Sequence, residues 1–137
     1  MGDIAMRNLP NLFFAAGAIF ALIGMAWGIQ MSATQDHSLG PAHGHLNLIG
    51  FVAMSVFGAY YALFPAAAAS RIAALHFWTS VVAVVVVVPG IVMAINEDGE
   101  VLAKIGSVLA LLSMGMFAFV VLRNGSRRED SVQAPAE

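Results

Sequence analysis

The chain has 137 residues, of which 60% are hydrophobic and only 10% are charged. A soluble domain carries roughly 25% charged residues, so this composition excludes an ordinary water-soluble fold and indicates a membrane protein. The absence of cysteine excludes disulfides, thiolate metal sites and iron–sulfur clusters. The net charge of −2 says little about partners other than membrane lipid, and we expect no nucleic acid among them.

Charged residues divide the chain into four uncharged windows, 8–35, 37–70, 72–96 and 105–122. A bilayer core about 30 Å thick needs about 20 apolar residues per helix, and a helix satisfies its own backbone polar groups in lipid. The sequence therefore predicts an all-α, four-helix transmembrane domain over 1–123. Its helices lie near 10–32, 42–65, 71–95 and 100–122. A polar tail over 124–137 is predicted to be disordered and cytoplasmic.

The first predicted helix contains Gly17, Gly24 and Gly28, and the second contains further small residues. Small residues let helices approach closely in lipid, so we interpret these glycines as packing positions. A cleaved signal peptide ending near "MSA" at 31–33 is the alternative for the first helix. Its apolar run is longer than the 7–15 residues typical of a signal core, which favours a retained helix.

The positions of the arginines predict the orientation. One side of the membrane carries Arg7, Arg71, Arg123, Arg127 and Arg128. The other side has Lys104 as its only fixed positive charge. The positive-inside rule then places both termini in the cytoplasm. We therefore expect a multi-pass protein of a bacterial inner membrane, with the start of the second helix near the outer face.

Two histidines stand one residue apart at the start of the second helix, in "GPAHGHLNLIGF" (40–51). Pro41 is suited to the first helical turn. His43 and His45 are then separated by about 200° of rotation, so they point to nearly opposite sides and cannot share one ion. His43 lies on the same face as Asn47. Ionisable residues inside membrane segments mark function by default, whereas helix capping or headgroup contact is the alternative for each ring.

The remaining histidines are less informative. His37 is predicted to lie in a loop, on the same side of the membrane as the pair. His76, in "LHFW", lies near the inner end of the third helix, roughly 15–20 Å from His45 at about 1.5 Å per residue. One ion cannot join those two. We interpret His76 as an interfacial packing residue beside Trp78, with a second functional site as the alternative.

The run "HGHLNLIGFVAMSVFGAYYALFP" (43–65) resembles heme-binding helices of subunit I of the heme-copper oxygen reductases and nitric oxide reductases. "HFW" at 76–78 is similar to the helix that follows in that family. The resemblance implies that His45 is an axial ligand of heme b, with Asn47 as the matching neighbour. The His-x-His spacing is also similar to the family's tenth helix, whose two histidines serve two hemes, and this implies ligand roles for both His43 and His45.

The chain departs from the family in size, because members have about twelve helices and this sequence provides four. It lacks the helices that supply the copper histidines and the second axial ligand. In a cyclic trimer, contacts between protomers are heterologous. His45 of one protomer can then face His43 of the next. The sequence thus predicts a homotrimer that rebuilds a twelve-helix arrangement with one bis-histidine heme b per interface.

The predicted function is one-electron transfer or binding of a small gas such as O₂ or NO, since iron held by two imidazoles is a redox centre. A complete oxidase or reductase is not expected from this chain alone, and its redox partner is not identified. The second hypothesis is a membrane protein that binds copper or zinc through the same histidines without heme. The third is a helical scaffold or accessory subunit whose histidines only cap or pack.

Overall fold

The computed structural model describes the backbone of residues 8–133 and the side chains of residues 8–125. This part of the chain is helical between short loops. It contains four long helices: α1 (Leu9–Thr34), α2 (Gly40–Leu63), α3 (Arg71–Ile95) and α4 (Val101–Gln133). Each is long and apolar enough to cross a membrane. The predicted all-α, four-helix transmembrane architecture is therefore confirmed for the described residues, and the chain is a multi-pass membrane protein.

The helix bounds are close to those predicted from the charges. Helix α3 begins and ends where predicted, and the ends of α1 and α2 differ by one or two residues. Helix α4 continues to Gln133, past the predicted end at 122. Residues 124–133 of the predicted tail are therefore helical in the structure, and disorder stays a prediction for residues 134–137, which lie outside the described part. Arg7 and the side chains of Arg127 and Arg128, on which the orientation depends, also lie outside it.

Helix α2 is not uniform along its length. An α-helical start, Gly40–His45, is followed by a π-helical segment, Leu46–Ala53, and by a second α-helical segment, Met54–Leu63. A π-helix is rare and is frequently found at functional sites. Helix α2 ends because Phe64 leaves helical geometry, and Pro65–Ala68 forms a separate helical turn. The hydrophobic spacing predicts a regular α-helix here, so the π-helical segment is a difference that the structure reveals.

Two close helix pairs form the bundle, α1 with α2 and α3 with α4. Gly90 and Gly106 bring the backbones of α3 and α4 together. A Cβ added at Gly90 would lie 2.6 Å from the carbonyl carbon of Leu102, and one at Gly106 would lie 2.5 Å from the Val87 nitrogen. Neither position leaves room for a side chain, so glycine is what permits this contact, as small residues commonly do between membrane helices.

The apolar core lies toward the end of the bundle where α1 begins and α2 ends. Its members come from all four helices and from the Pro65–Ala68 turn: Leu9, Phe13, Met54, Phe57, Tyr61, Ala67, Ala68, Ala73, Phe77 and Val120. The outer surface is also apolar, and its most exposed large side chains include Ile29, Leu63 and Leu111. An apolar exterior is the surface that a bilayer requires.

Candidate functional site

His45 lies on the outer surface of the bundle, and its ring is oriented by the backbone. The side chain is exposed, and Nδ1 lies 2.8 Å from the carbonyl oxygen of Pro41. A carbonyl oxygen only accepts hydrogen bonds, so in the neutral ring Nδ1 carries the hydrogen and Nε2 keeps a free lone pair. Histidines that ligate metals are typically oriented in this way, with one ring nitrogen bound to a carbonyl and the other facing the metal.

His43 points the other way, toward helix α1. The side chain is half-buried, its Nε2 lies 3.0 Å from the carbonyl oxygen of Gly24, and its ring is perpendicular to that of Trp27, with the centroids 6.0 Å apart. Nε2 therefore donates to Gly24. Asn47 Nδ2 lies 3.1 Å from the same nitrogen and 2.8 Å from the His43 carbonyl oxygen. Because an Nε2 that carries hydrogen cannot accept, the Asn47 amide donates to the carbonyl, and Nδ1 is the ring nitrogen with the free lone pair.

Two glycines of α1 make the recess that receives His43 and Asn47. A Cβ added at Gly24 would lie 2.8 Å from Asn47 Nδ2, and one at Gly28 would lie 3.2 Å from His43 Nε2. Both distances are shorter than ordinary van der Waals contact. The sequence indicates only that these glycines allow close packing. The structure confirms the packing and adds that the space is occupied by polar side chains.

His76 is completely buried, in a ring of aromatic side chains. The Tyr61 hydroxyl group and His76 Nδ1 are hydrogen-bonded across 3.0 Å. Ring centroids of Phe13, Phe57 and Phe117 lie 5.4, 4.5 and 5.9 Å from that of His76. The other ring nitrogen, Nε2, is also buried and has no hydrogen-bond partner among the described residues. His76 is thus the central polar group of the core.

This position corrects the expectation that His76 packs at the membrane interface beside Trp78. Trp78 is 64% exposed and extends outward, whereas His76 is 0% exposed. The two residues are separated by about 200° on helix α3, which puts them on different sides. Sequence analysis does not identify Tyr61 as the partner of His76, because no local spacing links residues on different helices.

A second buried polar contact joins helices α3 and α4. Ser80 Oγ lies 2.7 Å from the His76 carbonyl oxygen and 2.7 Å from Ser113 Oγ. Both serines are almost fully buried, with exposures of 2% and 5%. Neither serine is singled out by the sequence, since serine is common at helix–helix contacts in membranes.

The loop between α1 and α2 is polar and exposed. His37 lies in it, as predicted, and its Nδ1 is 3.3 Å from the Gln35 carbonyl oxygen. The backbone N–H of Ser38 donates to Asp36 across 3.0 Å, and this hydrogen bond lowers the pKa of the Asp36 carboxyl group. Within the described part of the chain, no group of three or more His, Cys, Asp or Glu side chains could hold a metal ion.

Comparisons with protein-family models, with curated proteins and with solved structures find no match to this chain.

Proposed function

We propose that this chain is the protomer of a homo-oligomeric membrane protein that binds heme b between protomers and uses it for one-electron transfer or for binding O₂ or NO. The main support is the geometry of His45: an exposed imidazole whose Nδ1 is bound to the Pro41 carbonyl and whose Nε2 is free. This arrangement suits an axial ligand whose iron lies outside the single chain.

The surface near His45 suits a porphyrin. Leu48 and Val52, which follow His45 along α2, are exposed by 64% and 45%. A porphyrin is a flat apolar ring, and such side chains on two protomers would contact both of its faces through van der Waals packing, which drives association within lipid. Heme bound there would supply a one-electron iron couple, whose potential depends on axial ligands and burial.

The second axial ligand is proposed to come from the neighbouring protomer. In a trimer of the predicted kind this is His43, which together with His45 would give one ligand to each flank of the heme. His43 Nε2 here donates to the Gly24 carbonyl oxygen. Ligation through Nε2 therefore requires the ring to leave Gly24, whereas ligation through Nδ1 does not. Asn47 holds the same region of α2 through its hydrogen bond to the His43 carbonyl.

Both termini are proposed to be cytoplasmic, which places His45 near the outer face of a bacterial inner membrane. A heme there would be close to soluble redox partners on that side. Its role would be to carry electrons, because two imidazole ligands would leave no open position on the iron, and holding O₂ or NO would require one of the two imidazoles to dissociate.

The test is the absorption spectrum of the protein purified after expression with heme supplied. We expect a Soret band that shifts on reduction by dithionite. His45→Gly should remove the band, and added free imidazole should restore it, because a small ligand can replace the missing side chain. His37→Gly is the matched control: His37 is an exposed histidine of the adjacent loop, and its loss should leave the spectrum unchanged.

His43→Ala tests the second ligand. Loss of one of two imidazoles should convert the low-spin spectrum to a high-spin one while heme is retained. The native mass of the heme-loaded protein should be that of a trimer.

Two results would decide against heme, and a third would decide against His45 as its ligand. A colourless protein with stoichiometric copper or zinc would support the bare-metal hypothesis, and a colourless, metal-free protein would support a scaffold. An unchanged spectrum in His45→Gly would show that another residue binds the iron.

A further inference from the structure

A cleft of about 420 Å³ lies between helices α2 and α4, about halfway along the length of the bundle. Its lining residues are Leu48, Ile49, Val52, Ala53, Val56, Phe57, Ser80, Ala110, Ser113, Met114 and Phe117. Six of them belong to the π-helical segment or the α-helical turn that follows it. Ser80 and Ser113 stand near the midpoints of their helices, so the cleft lies at mid-depth. A ligand that enters it must come from the hydrocarbon region.

The two serines give this cleft an unused hydrogen-bond acceptor. Each hydroxyl group has one hydrogen to donate. Both 2.7 Å contacts of Ser80 are hydrogen bonds only if Ser80 donates to the His76 carbonyl and Ser113 donates to Ser80. Ser113 Oγ has then donated its only hydrogen, and no described residue donates a hydrogen bond to it. The lone pairs of Ser113 Oγ can therefore accept a hydrogen bond from a ligand.

Two aromatic side chains line the cleft together with Ser80 and Ser113. The rings of Phe57 and Phe117 line the cleft, with centroids 4.6 Å apart and an interplanar angle of 47°. Aromatic rings favour contact with other flat rings in offset or edge-to-face arrangements. The remaining lining is aliphatic. The cleft thus combines a surface for a flat ring, an apolar channel for a tail and a single acceptor.

From these features we infer that the cleft binds a lipophilic phenol, a flat ring that carries one hydroxyl donor and an apolar substituent. The phenol O–H donates to Ser113 Oγ, the ring lies against Phe57 and Phe117, and the substituent follows the aliphatic walls toward the bilayer. The volume is within the roughly 300–1,000 Å³ range of small-molecule sites. A lipid acyl chain, the other candidate occupant, would leave the Ser113 acceptor unpaired. Leu48 and Val52 belong both to this cleft and to the surface proposed for heme, but the inference rests on Ser113, Phe57 and Phe117 and does not depend on heme binding.

The experiment compares two probes that differ in one hydrogen-bond donor. Isothermal titration calorimetry of the full chain in detergent would measure binding of 4-pentylphenol and of 4-pentylanisole, in which a methyl group replaces the hydroxyl hydrogen. We expect the phenol to bind roughly 3- to 10-fold more tightly, the effect of one net hydrogen bond. Equal affinity, or no binding of either probe, would overturn the inference and leave a groove for acyl chains.

Two variants test whether Ser113 causes the preference for the phenol over the anisole. Ser113→Ala should reduce the phenol-to-anisole affinity ratio to about one, and comparing ratios cancels the different partition of the probes into detergent. The matched control is Ser107→Ala on the same helix, because Ser107 is exposed and donates to the Ala103 carbonyl outside the cleft. That variant should keep the wild-type ratio.

Ala110→Phe should fill the cleft and abolish binding of both probes. A wild-type ratio in Ser113→Ala would refute the role of Ser113, and unchanged binding in Ala110→Phe would refute the location. The comparison of the two probes on the unmodified chain, corrected for the measured partition of each probe into detergent, needs no variant, so it decides the inference even where a substitution prevents folding. The result is independent of the Soret band, and failure of either proposal can be told from failure of the other.

Discussion

Replacing Gly106 by alanine should separate helices α3 and α4. An added Cβ would lie 2.5 Å from the Val87 nitrogen and 2.6 Å from Val87 Cβ, whereas non-bonded carbon atoms pack at roughly 3.5–4.0 Å. The helices must therefore move apart by about 1 Å. Overpacking costs about 1–3 kcal/mol, and a cost near the upper end is expected because backbone atoms cannot rotate away.

Gly115→Ala is the matched control, because Gly115 lies on the same helix and has nothing within 4 Å of its added Cβ. Alanine is favoured over glycine in helices by about 1 kcal/mol, so this variant should be slightly stabilised. The propensity gain applies to both variants because both glycines lie within α4, so their free energies of unfolding should differ by the clash alone, about 1–3 kcal/mol.

The assay is unfolding by sodium dodecyl sulfate in mixed micelles, followed by far-ultraviolet circular dichroism. Equal midpoints for the Gly106 and Gly115 variants would refute the close contact between α3 and α4.

Tyr61→Phe should lower the free energy of unfolding by about 1–3 kcal/mol in the same assay, because it leaves buried His76 Nδ1 unpaired. The double variant with His76→Phe should recover part of this loss. If the losses of the two single variants simply add in the double variant, the hydrogen bond is contradicted. Gly24→Ala should lower the free energy of unfolding by about 1 kcal/mol, at the low end for overpacking, because the new methyl group meets the rotatable side-chain amide of Asn47 and not backbone atoms. A loss as large as that of Gly106→Ala would contradict this. Lys104→Met should raise the pKa of Glu100, which is lowered mainly by the hydrogen bond from that lysine, as measured by carbon-13 nuclear magnetic resonance. A lowered pKa means that this pair's contribution to stability is present above the unfolded-state pKa of Glu100 and is lost as pH falls through its folded-state pKa; an unchanged Glu100 titration would contradict the pairing.

The candidate site was partly readable from the sequence. The two-residue spacing of His43 and His45 on a helix predicts diverging rings, and the structure places one toward α1 and the other on the outer surface. Which ring faces outward is not contained in that spacing. It depends on the direction of α1, whose glycines receive His43 and Asn47.

His76 was misplaced for a related reason. Its neighbours along α3 are apolar, and its position near a helix end favours an interfacial environment. Its burial follows from side chains on the other three helices, Phe13, Tyr61 and Phe117, which converge on it. Contacts between distant segments leave no periodic signal in any one of them, so the sequence alone does not indicate this core.

The sequence by itself determined the number and the approximate bounds of the membrane helices, because placing charge in hydrocarbon is costly and apolar runs must match the bilayer thickness. The tertiary structure decided how those helices pair, where α2 becomes π-helical, and how the polar groups are partnered. Lipid is as apolar as the helix surfaces, so hydrophobicity does not select one packing over another. Close contact at glycines and buried hydrogen bonds make that selection, and both become visible only when the helices are assembled.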